Sequence, residues 1–431
     1  MRKLRKLSVL LYAAMSILLI FAATEVKAAE KKTGWNYKNE VTEKSGAFTY
    51  HAITSKDKKK VWIYEISIDT KEDYSILEIP KKIKGKKVVR IGYTAKKDAS
   101  RMDEYTKNIF GNIAETYHDN DGGNEVTDGV TTITIPNSIE VIQAGAFSGL
   151  NSITKIKIPK KVEEIKEDTF YGCDNLETVE LSVNLKELDA LAFVDCKNLK
   201  EVKIPSENKV YKIENQCVIT KKDQALQFVL PGNNTNLEIL DGIKVLKEFS
   251  FSNCNSSVVN IPASVKKIEA RAFHKNYRHE NVTIKDVTIS EKNKVYAKDG
   301  QCIYNKKKKT LSVAIPDDEG VLYVSDKVKY ITAEYSMVNC DTYEKRLKKV
   351  VLPKNLKSVM AERFSVITDA ESVYFTSAKP PKIKKTTNTR GLAVLPIHRD
   401  VYVPKASFKA YKKWYKQYKC YSSVRLHKYN P

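Results

Sequence analysis

The chain has 431 residues, of which 75 are Lys or Arg and 52 are Asp or Glu, so its formal net charge is +23. A hydrophobic content of 42% excludes a wholly disordered chain, and 16 Gly with 13 Pro exclude collagen-like and linker-like sequences. The length exceeds the ~100–200 residues of an ordinary single domain, which favours several domains or one elongated repeat array. The positive charge favours anionic surroundings such as cell wall, glycan or nucleic acid.

Residues 1–28 have the pattern of a secretory signal peptide. Four basic residues lie within Arg2–Lys6, and an uncharged apolar run follows from Leu7 to Ala23. Small residues then occupy the −3 and −1 positions of a cleavage site that ends at Ala28. An uncleaved membrane anchor is the alternative, because the run is near the ~17-residue lower limit for a span. We therefore expect an extracellular protein, secreted or associated with the cell wall, that meets the membrane only through this peptide.

An internal repeat of 23 residues dominates the rest of the chain. Ile135-Pro136, Ile158-Pro159 and Ile204-Pro205 occupy equivalent positions, with Leu181-Ser182 as the substituted copy between them. The phenylalanines keep the same period, at Phe147, Phe170 and Phe193. Before each Ile-Pro pair an apolar–polar–apolar triplet predicts a short strand with one buried face, and the proline ends it because it lacks an N–H. Stacked coils would bury ladders of Ile and Phe that no single coil could bury.

The unit Ile-Pro-x-x-Val-x-x-Ile-x-x-x-Ala-Phe-x-x-Cys resembles the BspA-type leucine-rich repeat family of bacterial secreted and surface proteins. The resemblance implies a mainly-β or α/β leucine-rich repeat solenoid, a right-handed coil with short parallel strands. We assign 29–76 as a β-rich N-terminal cap, 77–403 as the solenoid and 404–431 as a basic, aromatic, helical C-terminal cap. Two related segments 85 residues apart, 208–231 and 293–316, resemble the hairpin modules of that family.

A segment without repeat columns, 93–130, interrupts the solenoid, and we predict a protruding loop or short helix there. It holds an acidic, glycine-rich stretch with Asp119, Asp121, Asn124 and Glu125. Calcium prefers such oxygen ligands, but the stretch matches only part of a calcium-loop pattern, so a solvated turn is the preferred interpretation. No metal or cofactor is predicted.

Seven cysteines are present, and most of them fall in the repeat-end column. Their positional repetition indicates small buried side chains, although a disulfide between Cys173 and Cys196 on adjacent coils is an alternative. Motifs of serine hydrolases, zinc proteases, phosphate loops and dinucleotide sites are missing from the sequence. A non-enzymatic protein is therefore predicted, with a hydrolase using segment 93–130 as the weakest alternative.

Candidate ligand-binding residues come from the polar or aromatic position that each strand exposes. Solenoids use such a face for binding. The early members are charged or polar, namely Thr134, Lys157, Glu180, Lys203, Asn260 and Thr288. The charged residues among them alternate in sign and can neutralise each other. The later members are Tyr323, Tyr374 and Tyr402, and these are the better candidates because tyrosine offers a large contact area at little entropic cost.

The C-terminal segment carries most of the charge. From Lys379 to Pro431 there are 14 Lys or Arg residues against one acid, Asp400. Aromatic residues at helical spacing, Phe408, Tyr411, Tyr415 and Tyr418, predict a helix that seals the last coil. The candidate polyanion-binding residues on its other sides are Lys405, Lys409, Lys412, Lys413 and Lys416.

These patterns lead to one expected function with one main alternative. The resemblance implies an adhesin-like protein that binds host or bacterial surface proteins or glycans through the solenoid face. The alternative is a scaffold of the cell envelope, held to anionic wall polymers by the basic C-terminus. No genomic nucleic acid is expected as a partner, because secretion separates the protein from the genome and no nucleic-acid module accompanies the basic segment.

Overall fold

The computed structural model describes residues 34–92, 110, 129–231, 236–274, 284–332, 335–338, 347–360, 370–384, 400–417 and 424–431. The predicted signal peptide, nearly all of segment 93–130 with its acidic stretch, and Cys340, Cys420 and Tyr418 lie outside these residues. The chain divides between Glu187 and Leu188 into two compact units. Within the described ranges, no helix combines the length and apolarity that crossing a membrane requires.

Short strands recur through both units and pair mostly in parallel from coil to coil. Within each unit the described strands stack as coils of a mainly-β solenoid, which confirms the predicted leucine-rich repeat architecture. In the first unit the strands are β1 Trp35–Ser45, β2 Phe48–Ser55, β3 Lys60–Ile68, β4 Ile76–Glu78, β5 Lys82–Ile83, β6 Lys86–Ile91, β7 Thr132–Thr134, β8 Val141–Ile142, β9 Lys155–Lys157, β10 Glu164–Ile165 and β11 Thr178–Glu180. Strand β12, Glu187–Leu188, lies at the division between the units.

The first unit begins with an antiparallel sheet of β1, β2 and β3, which lies within the segment assigned as the N-terminal cap. Strand β6 continues this sheet in parallel with β3, so the sheet changes from antiparallel pairing to the parallel pairing of the coils. Trp62 is buried beneath it, with the Arg90 guanidinium 4.7 Å from the centre of its ring. The Tyr50 hydroxyl donates a 2.7 Å hydrogen bond to the Glu78 carbonyl oxygen and ties the sheet to the first coil.

The coil that contains β9 shows how the repeat sequence determines the local fold. The three residues of β9 are exposed, buried and exposed, and only the central Ile156 enters the core. Ile158 then donates its N–H to Glu180 of the next coil at 2.8 Å, and Pro159, which has no N–H, ends the pairing. Further along the coil Phe170 stacks on Phe147 with 5.7 Å between ring centres, and both rings are fully buried.

The second unit begins at Leu188 and contains the two hairpin modules. Its strands are β13 Glu201–Lys203, β14 Tyr211–Glu214, β15 Cys217–Thr220, β16 Ala225–Val229, β17 Asn236–Glu238, β18 Val245–Leu246, β19 Val258–Ile261, β20 Lys267–Ile268, β21 Asp286–Ile289, β22 Tyr296–Asp299, β23 Cys302–Asn305, β24 Leu311–Ala314, β25 Val321–Tyr323, β26 Tyr330–Ile331, β27 Ser336–Met337, β28 Lys349–Leu352, β29 Ser358–Met360, β30 Ser372–Phe375, β31 Lys382–Lys384, β32 Asp400–Pro404 and β33 Arg425–Tyr429. The described residues also contain a 3-10 turn, Lys405–Ser407, and one α-helix, α1 Phe408–Gln417.

The hairpin modules, β14–β16 and β22–β24, are antiparallel and share one anchoring device. The Asn208 side-chain oxygen accepts the backbone N–H groups of Val210 and Tyr211 at the start of the first module. The Tyr211 hydroxyl accepts the N–H of Leu188 at 3.0 Å. Asn293 and Tyr296 repeat these contacts in the second module. A buried tyrosine therefore satisfies a coil N–H where an inserted hairpin interrupts the regular repeat.

The second unit ends with a five-stranded parallel sheet, in the order β25, β28, β30, β32 and β33, against which α1 packs. We call this sheet the terminal sheet. Tyr411, Trp414 and Tyr415 of α1 are buried in the same hydrophobic cluster as Phe375 of β30. The sequence analysis predicted Phe408 on this buried face and did not predict Trp414. The Phe408 ring is only half-buried and lies beneath the Lys428 ammonium at 4.9 Å.

Candidate functional site

The exposed positions of the first unit form an ion-paired surface. Lys157 and Glu180 are in register on β9 and β11, and Lys155 lies beside them. The ammonium groups of Lys155 and Lys157 contact the Glu180 carboxylate at 2.8 and 3.0 Å. Hydrogen bonds from Lys155 and then Lys157 lower the pKa of the Glu180 carboxyl to about 2, because they favour its charged form. Glu180 already has two cationic partners within the molecule, so this pair is a weaker candidate for binding a ligand.

The ion pairs of Glu180 predict how the stability of the fold depends on pH. The folded-state pKa of Glu180 is about 2, below its ordinary value of 4.5. Its interactions therefore stabilise the fold at neutral pH, by at most about 1 kcal/mol, and this contribution is lost as pH falls from about 4.5 to about 2. Thermal unfolding of wild-type and Glu180→Gln protein should differ at pH 7 and converge near pH 2. Glu167→Gln, which changes another exposed carboxyl, is the control and should match wild-type throughout.

A groove of about 570 Å³ also lies in the first unit, lined mainly by charged residues that include Glu140, Glu163 and Lys186. Lys186 pairs with Glu163 at 2.7 Å, and Glu140 accepts from two lysines of the N-terminal sheet. Several of the charged groups that line the groove are already paired within the protein, so the groove is a weaker candidate for binding a ligand.

In the second unit, the polar candidates also contact one another. Lys203 pairs with Glu201 of its own strand at 3.2 Å. Asn260 and Thr288, in register on β19 and β21, are hydrogen-bonded side chain to side chain. The Asn260 amide donates in turn to Glu238 at 2.5 Å. Glu238, Asn260 and Thr288 therefore form a polar network across three strands, and Lys203 has a separate partner.

The terminal sheet brings the three tyrosine candidates into one row. Its register aligns Tyr323, Val351, Tyr374, Tyr402 and His427 across the five strands, and we call this set the aromatic row. Their strand neighbours Leu322, Val350, Val373 and Val401 are buried, so the row lies on the outer face. Sequence analysis identified the tyrosines but not Val351 or His427.

One end of the aromatic row is a continuous stack. The Tyr374 and Tyr402 rings lie 4.3 Å apart and nearly parallel, and Tyr402 stacks on His427 at 4.8 Å. Tyr429 meets Tyr374 edge-on at 5.4 Å. Burial, followed by the neighbouring Tyr402, raises the pKa of the Tyr374 hydroxyl, which stays protonated and able to donate at neutral pH.

A charged pair borders this stack. Asp400 accepts from His427 and from Arg425, each at 2.7 Å. The hydrogen bond from His427, with a further one from Arg425, lowers the pKa of the Asp400 carboxyl. The arrangement fixes the His427 ring at the end of the stack and neutralises the only acid of the C-terminal segment.

The other end of the aromatic row is open. Tyr323 is 53% exposed, one of the most exposed large hydrophobic side chains among the described residues. The Lys349 ammonium lies 5.7 Å from the Tyr323 ring centre and 4.8 Å from that of Tyr374, above Val351. An exposed ring with an adjacent cation can contact both apolar and anionic groups.

The candidate polyanion-binding lysines lie around α1. Lys405 belongs to the 3-10 turn, and the exposed side of the helix carries the rest, namely Lys409, Lys412, Lys413 and Lys416. Because the opposite side of α1 is buried, the helix presents its charge to solvent on a fixed support. The arrangement suits electrostatic attraction of an anionic polymer.

The described repeat-column cysteines are structural. Cys173, Cys196, Cys217, Cys254 and Cys302 are buried thiols, so the alternative disulfide between Cys173 and Cys196 is not formed. The Cys173 thiol donates to the Phe147 carbonyl oxygen of the preceding coil at 3.0 Å. Burial raises the pKa of Cys173, Cys217 and Cys302 to about 12. No group of three or more His, Cys, Asp or Glu side chains suited to a metal occurs in the described part of the chain.

Protonated, inaccessible thiols should not react. Iodoacetamide at pH 8 is expected to leave Cys173, Cys217 and Cys302 unmodified in the folded protein and to alkylate all three in urea. Peptide mass spectrometry measures each site separately. Rapid labelling of any of the three without denaturant would contradict their burial.

Comparison with known proteins then identifies the repeat. The family model described as "BspA type Leucine rich repeat region" matches residues 125–236 and 227–303, with six copies. The chain carries a BspA-type leucine-rich repeat region. This confirms the family inferred from the Ile-Pro and Ala-Phe-x-x-Cys columns. The Phe ladder and Cys contacts described above are thus the core of a BspA-type coil.

Several solved structures resemble the chain. A leucine-rich cell surface protein of Faecalibacterium prausnitzii is 14% identical, with 78% of this chain and 95% of that chain covered and a TM-score of 0.37. The pneumococcal vaccine antigen PcpA is 15% identical over 91% and 100% of the chains, with a TM-score of 0.31. A leucine-rich repeat protein of Bacteroides ovatus is 15% identical over 90% and 98%, with a TM-score of 0.32. No protein of curated function matches the chain.

Proposed function

We propose that the chain is an adhesin-like binding protein, secreted or held at the cell surface, that recognises protein or glycan ligands through the exposed face of its solenoid. The observation that carries the proposal is the open end of the aromatic row at Tyr323. An exposed ring of this size, on a rigid sheet and beside a cation, resembles the aromatic anchors of protein interfaces. The family to which the repeats belong consists of bacterial surface proteins, which is consistent with this role.

The proposal concentrates recognition in the second unit. Charged candidates such as Lys157, Glu180 and Lys203 are paired with neighbours, and further partners would have to compete with those contacts. The aromatic row lies on the outer face of a sheet whose other face is buried. A preorganised surface binds with little loss of conformational entropy.

The envelope scaffold remains as a second candidate, favoured by the lysines on the exposed side of α1. Removing the segment from Lys379 onward would not test it, because that deletion takes away β32, α1 and β33 and exposes the hydrophobic cluster beneath them. Charge substitutions in the full chain are the appropriate test. Lys409→Gln/Lys413→Gln removes two exposed charges and leaves Tyr411, Trp414 and Tyr415 in place.

The experiment compares retention of the full chain on an immobilised matrix-protein preparation and on purified wall carrying teichoic acid, at low and high salt. We expect Tyr323→Ala to reduce matrix retention about tenfold or more at both salt concentrations. Ile76→Ala is the matched control, since Ile76 is 56% exposed in the first unit, and it should bind like wild-type.

Two results would count against the solenoid face. Equal retention of wild-type and Tyr323→Ala protein on matrix would contradict it. Salt-sensitive retention on wall alone, lost in Lys409→Gln/Lys413→Gln and unaffected by Tyr323→Ala, would instead support the scaffold.

A further inference from the structure

The aromatic row has one missing ring. Four of its five strands place an aromatic ring in the row, and β28 places Val351 there instead. Neighbouring parallel strands are ~4.8 Å apart, so the backbones that carry Tyr323 and Tyr374 are separated by about 9.6 Å. The side chain of Val351 is too short to fill the space between the two rings. We call that space the Val351 gap.

The gap has a definite chemical character. Its two sides are tyrosine rings, its floor is a half-buried valine, and the Lys349 ammonium lies between the two rings, above the valine. Both rings attract this ammonium through the negative charge on their faces. No carboxylate among the described residues lies within ion-pair distance of it, in contrast to the pairs formed by Lys155, Lys157 and Lys203.

Among the described residues, the polar side chains that share this region with Lys349 have other partners. Asp400, on the same face two strands away from Lys349, has its carboxylate oxygens engaged by Arg425 and His427. Ser372, which is directly beside Lys349 in the register, donates its hydroxyl to a backbone carbonyl. The Val351 gap is therefore apolar on its walls and holds one positive charge between them.

We propose that the Val351 gap binds a pyranose ring that carries a carboxylate, an acidic sugar such as a uronic or sialic acid. The sugar ring takes the place of the Lys349 ammonium between Tyr323 and Tyr374, and the displaced ammonium pairs with the carboxylate at the edge of the gap. The polarised C–H groups on both sides of a pyranose are attracted to the negative faces of aromatic rings. A puckered sugar ring is thicker than an aromatic ring and can contact both tyrosine rings across the gap. The hydroxyls of the sugar remain at the open edge, in water.

This inference rests on the proposed function, because it names the ligand class of the same face. Lys349 would exchange its contacts with two rings for a charge-assisted bond to the sugar carboxylate. The Tyr374–Tyr402–His427 stack would support one wall of the site without moving. The site takes one sugar ring, so an acidic polysaccharide would be held through one of its monosaccharides.

The test titrates the full chain with a hyaluronan hexasaccharide and with sialyllactose, and with chitohexaose and lactose as neutral counterparts. Calorimetry at 150 mM salt is expected to show binding of at least one acidic sugar and much weaker binding of its neutral counterpart. Lys349→Met should lower the acidic affinity about tenfold or more. Lys348→Met, a change at an exposed neighbour, should leave it within about twofold.

A second variant fills the gap. Val351→Tyr supplies the missing ring, and we expect it to abolish sugar binding without lowering the melting temperature. Absence of binding by both acidic sugars would overturn the inference, as would equal losses in Lys349→Met and Lys348→Met. Binding of an acidic aromatic peptide, blocked by Val351→Tyr, in place of the sugars would also overturn it.

These outcomes separate the inference from the function on which it rests. If matrix retention depends on Tyr323 while neither sugar binds, the sugar site is refuted and the adhesin-like function stands. If the sugars bind as expected while retention on matrix is the same for wild-type and Tyr323→Ala protein, the sugar site is supported and its proposed role in adhesion is refuted.

Discussion

Replacing Tyr411 by alanine is expected to destabilise the second unit by about 3–5 kcal/mol, the range found for large aromatic side chains removed from a core. Tyr411 is fully buried, packs 5.0 Å from Phe375, and donates its hydroxyl to the Ser377 carbonyl oxygen at 3.0 Å. The substitution leaves a cavity and an unpaired buried acceptor, and both raise the cost. Urea unfolding followed by circular dichroism measures the change.

Two companion variants separate the contributions at this position. Tyr411→Phe removes only the hydroxyl and should cost about 1 kcal/mol. Lys413→Ala, on the exposed side of the same helix, should stay within about 0.5 kcal/mol of wild-type. Hydrogen exchange over Asp400–Pro404 should increase in Tyr411→Ala. If Tyr411→Ala were as stable as Lys413→Ala, α1 would not be part of the core.

Phe251→Ala is expected to have a comparable effect within the repeats of the second unit, again about 3–5 kcal/mol. Phe251 and Phe273 are both fully buried and stack face to face with 4.3 Å between ring centres, so one truncation removes contacts on two coils. In a solenoid each coil is stabilised by its neighbours, and a cavity at this position weakens both sides of the defect.

The control for this prediction is Lys244→Ala, at an exposed position of the same coil. Phe251→Leu, which keeps most of the apolar volume, should lose less than half as much stability as Phe251→Ala. Limited proteolysis provides a local readout, because cleavage near the defect should become faster. Unchanged stability of Phe251→Ala would mean that the ring stack does not connect the coils.

Much of the coil could be predicted from the sequence, because each of its features is a local pattern repeated in register. The Ile-Pro pairs mark where strands end, as Pro159 shows, and the Phe and Cys columns mark the buried turn. Six copies of one pattern make the periodicity unmistakable even where a copy such as Leu181-Ser182 departs from it.

The remaining features depend on alignment between coils of unequal length. Val351 and Lys349 join the tyrosines only through the register of β25, β28 and β30, which sequence spacing does not reveal. Trp414 was missed because Phe408 and Tyr418 completed an equally good helical spacing. The pairing of Lys157 with Glu180 across strands, in contrast, was expected from the alternating signs of the strand column.

The exposed–buried–exposed pattern of the three-residue strands has a consequence for how this protein changes over time. In β9 only Ile156 is committed to the core, while Lys155 and Lys157 face solvent. Substitutions at such outer positions change stability by about 0.5 kcal/mol or less, so they are nearly neutral for folding. Each described strand with this pattern therefore offers two positions at which mutation can alter what the surface recognises while the scaffold is preserved. Selection by a changing host or competitor could therefore change the binding surface one coil at a time.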